Sequence, residues 1–131
     1  MSRTLLLAAL CCGLAGPVLA TEWLYCADAG DEAEIGLLLG TLDVLAPAGV
    51  TLRTPDRAWT TSTAYGDGGA ITVGQAFGDS EKLWLDLLDG DFNARVGELR
   101  LFRAEEGETI ILGGTLRVVG VGAWAVSCAG F

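Results

Sequence analysis

The sequence predicts an all-β domain, either a small antiparallel β-sandwich or a closed β-barrel of about eight or nine short strands. Apolar residues recur mostly at every second position, which is the period of a strand with one buried face. Glycine is abundant, with 19 residues, and proline is scarce, with 3. Turns rich in glycine and aspartate separate the apolar segments at intervals of about ten residues, as in all-β folds.

The N-terminal segment, residues 1–20, is predicted to be a cleaved secretory signal peptide. It carries one basic residue, Arg3, then an apolar stretch from Leu5 to Leu14, and it ends in the small residue Ala20. The apolar stretch has about ten residues, whereas a membrane span needs about twenty. We therefore expect residues 21–131 to form a single β-domain with no membrane span after cleavage. Its expected location is the periplasm of a bacterial envelope or the outside of the cell.

Two cysteines remain after this cleavage, Cys26 near the start of the domain and Cys128 near its end. An even number of cysteines in an exported chain favours a disulfide. The first and last strands of a small sandwich or barrel are often neighbours, so the pairing suits the fold. Closing a loop of this length would stabilise the domain by about 4 to 5 kcal/mol through unfolded-state entropy.

The predicted strands follow the alternation along the chain, beginning with Glu22 to Ala27. The apolar stretch from Ile35 to Leu45 is Leu-rich, but Gly36 and Gly40 would each cost about 1 kcal/mol in a helix interior. A strand with glycine bulges is therefore expected there, with a helix as the alternative. Further strands are predicted at Val50 to Arg53, Trp59 to Ala64, Ile71 to Phe77, Lys82 to Leu88, Ala94 to Ala104, Thr109 to Val119 and Gly122 to Cys128.

The absence of histidine limits the chemistry that the chain can perform. The sequence contains no His, which excludes catalytic devices built on a Ser–His or Cys–His pair. With 17 acidic residues, a carboxylate-dependent hydrolase is the one enzymatic alternative, since two carboxyl groups suffice for glycoside hydrolysis. No spacing singles out a pair, so we assign no catalytic residue, predict no cofactor and expect a protein that is not an enzyme.

The turn after the Lys82 to Leu88 strand has a spacing seen at the start of calcium loops, with oxygen ligands at Asp89, Asp91 and Asn93. The next position is Ala94, where such a loop needs glycine, and the twelfth is Arg100, where it needs glutamate. A solvated hairpin turn is the simpler interpretation, and no metal site is predicted. The net charge of −9 disfavours nucleic acid as a partner and allows a cationic one.

Five aromatic residues are candidates for a binding surface. On an exposed sheet face they would form a platform for a carbohydrate or peptide; the alternative is that they fill a second core of a sandwich. These residues are Trp23, Tyr25, Trp59, Tyr65 and Trp84.

The pair Tyr25 and Cys26, the stretch "STAYGDGG" from Ser62 to Gly69, and the late Cys128 resemble the periplasmic inhibitors of C-type lysozyme. Those proteins are small β-barrels with a stabilising disulfide. The resemblance implies that Ser62 and Tyr65 lie in an inhibitory loop and that the partner is a cationic lysozyme, which an acidic protein would attract. In this sequence Thr63 stands where the family has glycine.

Taken together, these patterns predict an exported, non-enzymatic binding or interaction module whose ligand the sequence does not identify. The partner is expected to be a protein or a carbohydrate. A lysozyme-inhibitor-like protein and a carboxylate-dependent hydrolase are the alternatives. The candidate binding surface comprises Trp23, Tyr25, Trp59, Ser62, Tyr65 and Trp84.

Overall fold

A computed structural model describes residues 21–40 and 45–129 of the chain. Within these residues, nine strands form a closed barrel in chain order. The all-β prediction is therefore confirmed, and of its two architectures the barrel is the one adopted. The predicted signal peptide, residues 1–20, lies outside the described residues. The strands are β1 (Glu22–Ala27), β2 (Glu34–Leu39), β3 (Gly49–Arg53), β4 (Ala58–Thr60), β5 (Gly69–Gly78), β6 (Lys82–Asp89), β7 (Arg95–Glu106), β8 (Thr109–Val118) and β9 (Gly122–Ala129).

The ring contains one parallel neighbour pair, between β4 and β5. In a closed ring of antiparallel neighbours the strand direction alternates, so the number of strands must be even. Nine strands can close only if one neighbouring pair is parallel. The chain satisfies this condition with the connection 61–68, which returns from the end of β4 to the start of β5 and contains a short 3₁₀-helix at Thr63–Tyr65.

The barrel interior is a single apolar core built from alternate residues of its strands. On β6, Leu85 and Leu87 are buried, as are Leu99 and Leu101 on the neighbouring strand β7, where Leu99 is the register partner of Leu85. Leucine, isoleucine and valine supply most of the interior, and their burial is the main source of stability. A barrel has only one interior, so there is no second core of the kind a sandwich would offer to the aromatic residues.

The predicted disulfide joins Cys26 and Cys128, with sulfur atoms 2.08 Å apart. The two residues are direct register partners in the pairing of β1 with β9. The disulfide therefore lies across the seam at which the barrel closes. The predicted link between the first and last strands is confirmed.

Two strand predictions need correction. The strand expected at Ile35 to Leu45 is β2, which ends at Leu39; part of the predicted range, residues 41–44, lies outside the described residues. The strand expected at Trp59 to Ala64 ends at Thr60, because Thr60 and Ser62 turn the chain: the Thr60 hydroxyl donates to the Ser62 carbonyl at 2.7 Å. In the part of the chain that the structure describes, no helix has the length and apolar character to cross a membrane.

Candidate functional site

Three of the predicted aromatic residues meet on the outer face of β1, β2 and β3. The rings of Trp23 and Tyr25 lie nearly parallel, with centroids 5.8 Å apart. The ring of Tyr65 meets Trp23 edge-on, at 5.3 Å and an interplanar angle of 79°. Tyr25 and Tyr65 are 43% and 37% exposed. The three rings border a cleft of about 280 Å³, which we call the aromatic cleft.

Two glycines make room for these rings. A Cβ at Gly36, the register partner of Tyr25 on β2, would lie 2.9 Å from Tyr25 Cε1. A Cβ at Gly49 on β3 would lie 2.5 Å from Tyr65 Cε2. Both distances are too short for real side chains, so only glycine lets the tyrosine rings lie flat on the strands.

The connection 61–68 is held against the barrel wall by hydrogen bonds, which fixes the position of Tyr65. Thr61 exchanges backbone and side-chain bonds with Val50: its amide donates to the Val50 carbonyl at 3.0 Å, and its Oγ1 accepts from the Val50 amide at 3.0 Å. Ser62 caps the short helix, its Oγ accepting from the Ala64 amide at 3.2 Å. The predicted residues Ser62 and Tyr65 thus lie in one anchored loop, with Tyr65 facing the cleft.

The lining of the aromatic cleft carries more negatively than positively charged side chains. It includes the carboxylates of Glu34 and Asp67 and the guanidinium of Arg53. Arg53 is already engaged, since its Nη2 donates to the Asp31 carboxylate at 3.0 Å and lies 4.0 Å from Glu34 Oε2. With Asp31 and Arg57 at the rim included, three carboxylates and two guanidinium groups lie at this cleft.

Trp59 does not belong to the exposed surface on which it was predicted. It points inward from β4, is only 6% exposed and is part of the core. Its ring reaches the inner end of the aromatic cleft, and the Arg57 guanidinium carbon lies 4.7 Å from its centroid. The inward position of Trp59 matches that of its register partner on β3, Leu52, which is also buried.

Trp84, the remaining predicted residue, lies elsewhere, on the outer face of β6. Phe77 on β5 is its register partner, with ring centroids 6.4 Å apart. Lys82 Nζ and the Arg100 guanidinium carbon lie 5.1 Å and 5.6 Å from the Trp84 centroid. Phe77, Trp84 and Arg100 border a second cleft of about 300 Å³, and Lys82 lies beside it, next to the two rings. This cleft shares no lining residue with the aromatic cleft.

A network of ion pairs fixes the wall beside Trp84. Arg100 Nη2 donates to Asp86 Oδ1 at 2.7 Å, and Arg100 Nη1 donates to the Leu85 and Leu99 carbonyls. Arg117 donates to Glu98 Oε2 at 3.1 Å, and Arg95 binds the other oxygen of Glu98. The Arg117 hydrogen bond, followed by that of Arg95, holds the pKa of the Glu98 carboxyl below its usual range.

The residues with calcium-like spacing form a hairpin turn. Asp89 Oδ1 accepts from the amides of Asp91 and Asn93, at 3.2 and 2.8 Å, so this oxygen is engaged by the backbone. Among residues 21–40 and 45–129, no group of three or more acidic or cysteine side chains is arranged to hold a metal ion.

Sequence reasoning missed several residues of both clefts. Gly36 was interpreted as a strand bulge and Gly49 was not singled out, because nothing in the local pattern indicates that an aromatic ring packs on either glycine. Glu34 and Arg53 could have been found, because both lie at strand ends, where period-two alternation puts them outside. Phe77 could not have been found from alternation, because a bulge between Val73 and Ala76 shifts the register of β5.

Comparison of the chain with protein-family models, with curated proteins and with solved structures finds no match in any of the three. Function must therefore be argued from the two clefts themselves.

Proposed function

We propose that the protein is an exported, non-enzymatic binding module of the bacterial cell envelope, and that its aromatic cleft holds a cationic side chain of a protein partner. The observation that carries the proposal is the arrangement of Trp23, Tyr25 and Tyr65 around one cleft. Aromatic faces attract cations through their quadrupole, and sites for ammonium groups are built from such rings.

Charge supports a cationic ligand over a neutral one. Glu34 and Asp67 border the cleft, and Arg53 is already paired with Asp31. A net charge of −9 adds a long-range field that accelerates encounter with basic proteins. A neutral sugar could stack on the same rings and donate hydroxyl hydrogen bonds to these carboxylates, but it would gain no charge attraction from them.

The test uses hexa-arginine as the cationic probe and hexacitrulline, its neutral isostere, as the matched control peptide. Calorimetric titration at low salt should detect hexa-arginine binding, with an affinity at least roughly tenfold above that of hexacitrulline. Raising the salt concentration should weaken binding because exposed charges are screened. Equal binding of the two peptides would overturn the assignment of a cationic ligand.

Variants locate the binding. Trp23→Ala should reduce hexa-arginine affinity by roughly tenfold, and the double change Glu34→Gln with Asp67→Asn by several-fold. Phe92→Ala removes an exposed aromatic side chain far along the chain from the cleft, in the turn after β6, and should leave affinity unchanged. If Trp23→Ala binds like the unmodified protein, the aromatic cleft is not the site.

Lysozyme inhibition remains the second candidate, supported by the anchored loop that carries Ser62 and Tyr65 beside the cleft. A C-type lysozyme is a cationic protein, so it tests the same cleft. Titration into a lysozyme assay should then lower the rate, and Tyr65→Ala should relieve the inhibition. A flat response at micromolar excess of the protein would rule this candidate out.

The hydrolase alternative is tested with the same protein. Glu34 and Asp67 both line the aromatic cleft, which meets the minimum need for two carboxyl groups. Incubation with envelope polysaccharides and analysis for shortened chains would reveal turnover. Loss of product in Glu34→Gln would establish an enzyme and contradict the non-enzymatic proposal.

A further inference from the structure

The outer face of β5 to β8 carries a positive excess that contrasts with the acidic character of the chain as a whole. Four cations and two carboxylates form its charged cluster, which we call the cationic wall: Lys82, Arg95, Arg100 and Arg117, with Asp86 and Glu98. The count gives an excess of two positive charges within a chain of net charge −9. The remaining acids are therefore concentrated on other parts of the molecule.

Within this wall, Lys82 is the cation left for a ligand. Arg95, Arg100 and Arg117 each bind a carboxylate of the wall, whereas Lys82 has no carboxylate within ion-pair distance among the residues that the structure describes. Asp79 Oδ1 accepts from the backbone amides of Glu81 and Lys82. These hydrogen bonds, and to a smaller extent the Lys82 charge, hold the pKa of the Asp79 carboxyl below its usual range. Counting Asp79 still leaves the wall with a positive excess.

Lys82 lies beside an exposed aromatic pair. Its Nζ is 5.1 Å from the Trp84 centroid and 5.9 Å from that of Phe77. Phe77 is 50% exposed and Trp84 is 39% exposed. The cleft of about 300 Å³ that they border also includes Gln75, Arg100 and Asp86, and the Asp86 carboxylate is neutralised by Arg100 and Arg95. Because Arg100 is tied to Asp86 and two carbonyls, the floor of this cleft is rigid before any ligand arrives.

We infer that this second cleft binds an acidic polysaccharide, one sugar ring of which packs on Trp84 and Phe77 while its carboxylate pairs with Lys82. The apolar face of a sugar ring matches an aromatic surface. The carboxylate matches Lys82, the cation of the wall that has no ion pair with a carboxylate among the described residues. Gln75 supplies an amide for hydroxyl groups. This inference is independent of the proposed function, since it concerns other residues and a ligand of opposite charge.

The probe is the linear trisaccharide of galacturonic acid, and the matched control ligand is the same trisaccharide with its carboxylates converted to methyl esters. A short probe is used so that the measured affinity reports on the cleft and not on charges elsewhere on the protein. Binding is followed by calorimetry at low salt with the full, oxidised protein. The acidic trisaccharide should bind roughly tenfold more tightly than the ester. Equal affinities, or no binding of either at millimolar concentration, would overturn the inference.

Three variants test the residues. Trp84→Ala should lower affinity for the acidic trisaccharide by roughly tenfold, and Lys82→Gln should remove the preference over the ester. Phe92→Ala is the surface control and should change neither. Trp84→Phe keeps an aromatic ring and should retain most of the affinity. If Trp84→Ala fails to fold, Lys82→Gln still tests the site, because it leaves both rings in place.

Two other occupants are separated by parallel measurements. If oligothymidylate binds through Trp84 and the acidic trisaccharide does not, the ligand is nucleic acid and the inference is wrong. If light scattering shows a dimer that Trp84→Ala dissociates, the occupant is a second copy of the chain, and the inference is again wrong. The two proposals fail separately, because hexa-arginine and the acidic sugar are bound through different tryptophans.

Discussion

The ring of Tyr25 lies on Gly36 of the neighbouring strand so closely that a Cβ at position 36 would stand 2.9 Å from Tyr25 Cε1. This contact lets an exposed tyrosine lie flat on the barrel wall. The position of the ring, and through it the shape of the aromatic cleft, depends on the absence of a side chain at Gly36.

Gly36→Ala should therefore displace the Tyr25 ring, weaken hexa-arginine binding several-fold and lower the free energy of unfolding by about 1 kcal/mol. Urea unfolding measures the stability and calorimetry the affinity. In a Tyr25→Ala background the same change should cost less, because the contact with the ring is relieved. Part of the cost should remain, because Thr51 Oγ1 lies 2.7 Å from the Cβ position and must still move. Equal costs in both backgrounds would show that the ring and the glycine are not coupled.

Gly114 is a second close approach, with backbone as its neighbour. A Cβ there would overlap the Arg100 carbonyl oxygen on β7, and unlike a side chain this group cannot rotate away. We expect Gly114→Ala to destabilise the protein by about 3 kcal/mol, through separation of β7 and β8. The adjacent Gly113→Ala, whose Cβ would lie 3.1 Å from the nearest backbone oxygen, should cost clearly less in the same unfolding experiment.

Removal of the disulfide tests the closure of the barrel. Cys26 and Cys128 are 102 residues apart in sequence, so the chain-entropy model gives a stabilisation of about 4 to 5 kcal/mol. The double variant Cys26→Ala with Cys128→Ala should show a correspondingly lower unfolding midpoint in urea. Reductant should lower the midpoint of the unmodified protein and leave that of the variant unchanged. An unmodified protein insensitive to reductant would contradict the assignment.

Stability should decline in acid through Glu98. Hydrogen bonds from Arg117 and Arg95 lower the pKa of its carboxyl in the folded state. The resulting stabilisation is present above the unfolded-state pKa and is lost as the pH falls through the folded-state pKa, that is, below about pH 4.5. Glu98→Gln should flatten this part of the stability profile. Glu105→Gln, which removes an exposed partner of Arg103, should not.

Phe92 has a backbone conformation that is unfavourable for its side chain. Its φ is 61° and its side chain is 66% exposed. Burial of the ring therefore contributes little stability to offset the cost of the left-handed backbone conformation. Asparagine tolerates this conformation, and Phe92→Asn should stabilise the protein by about 0.5 to 1 kcal/mol. Phe102 is also exposed but lies within β7, and Phe102→Asn should give no gain. A loss of stability in Phe92→Asn would mean that the ring makes a contact worth more than the strain.

Most of the strands could be predicted from local alternation, and the disulfide from the positions of Cys26 and Cys128. The side of the sheet on which Phe77 lies could not be predicted in this way. Strict alternation from the buried Ile71 places Phe77 on the inner face, but a bulge between Val73 and Ala76 shifts the register and turns Phe77 outward. Only pairing with β6 reveals the bulge, and with it the contact between Phe77 and Trp84.

The aromatic cleft was predicted in part, for a similar reason. Alternation on β1 correctly puts Trp23 and Tyr25 on the side opposite Cys26. That Tyr65 joins them depends on the path of the connection 61–68 over the outer face of the barrel, which is a consequence of ring closure and not of local sequence.

Closure between β1 and β9 also dictates an order of events during synthesis. The chain emerges N-terminus first. Strand β1 therefore cannot pair with β9 until residues 127–129 have been synthesised. Until then β1 and β8 each have an open edge, and open edges invite pairing with other chains. During this interval Cys26 cannot form its native disulfide, because Cys128 has not yet been synthesised. The protein is therefore most prone to mispairing with other chains while it is being produced. Any factor that shields a free strand edge or delays cysteine oxidation should raise the yield of correctly closed barrel.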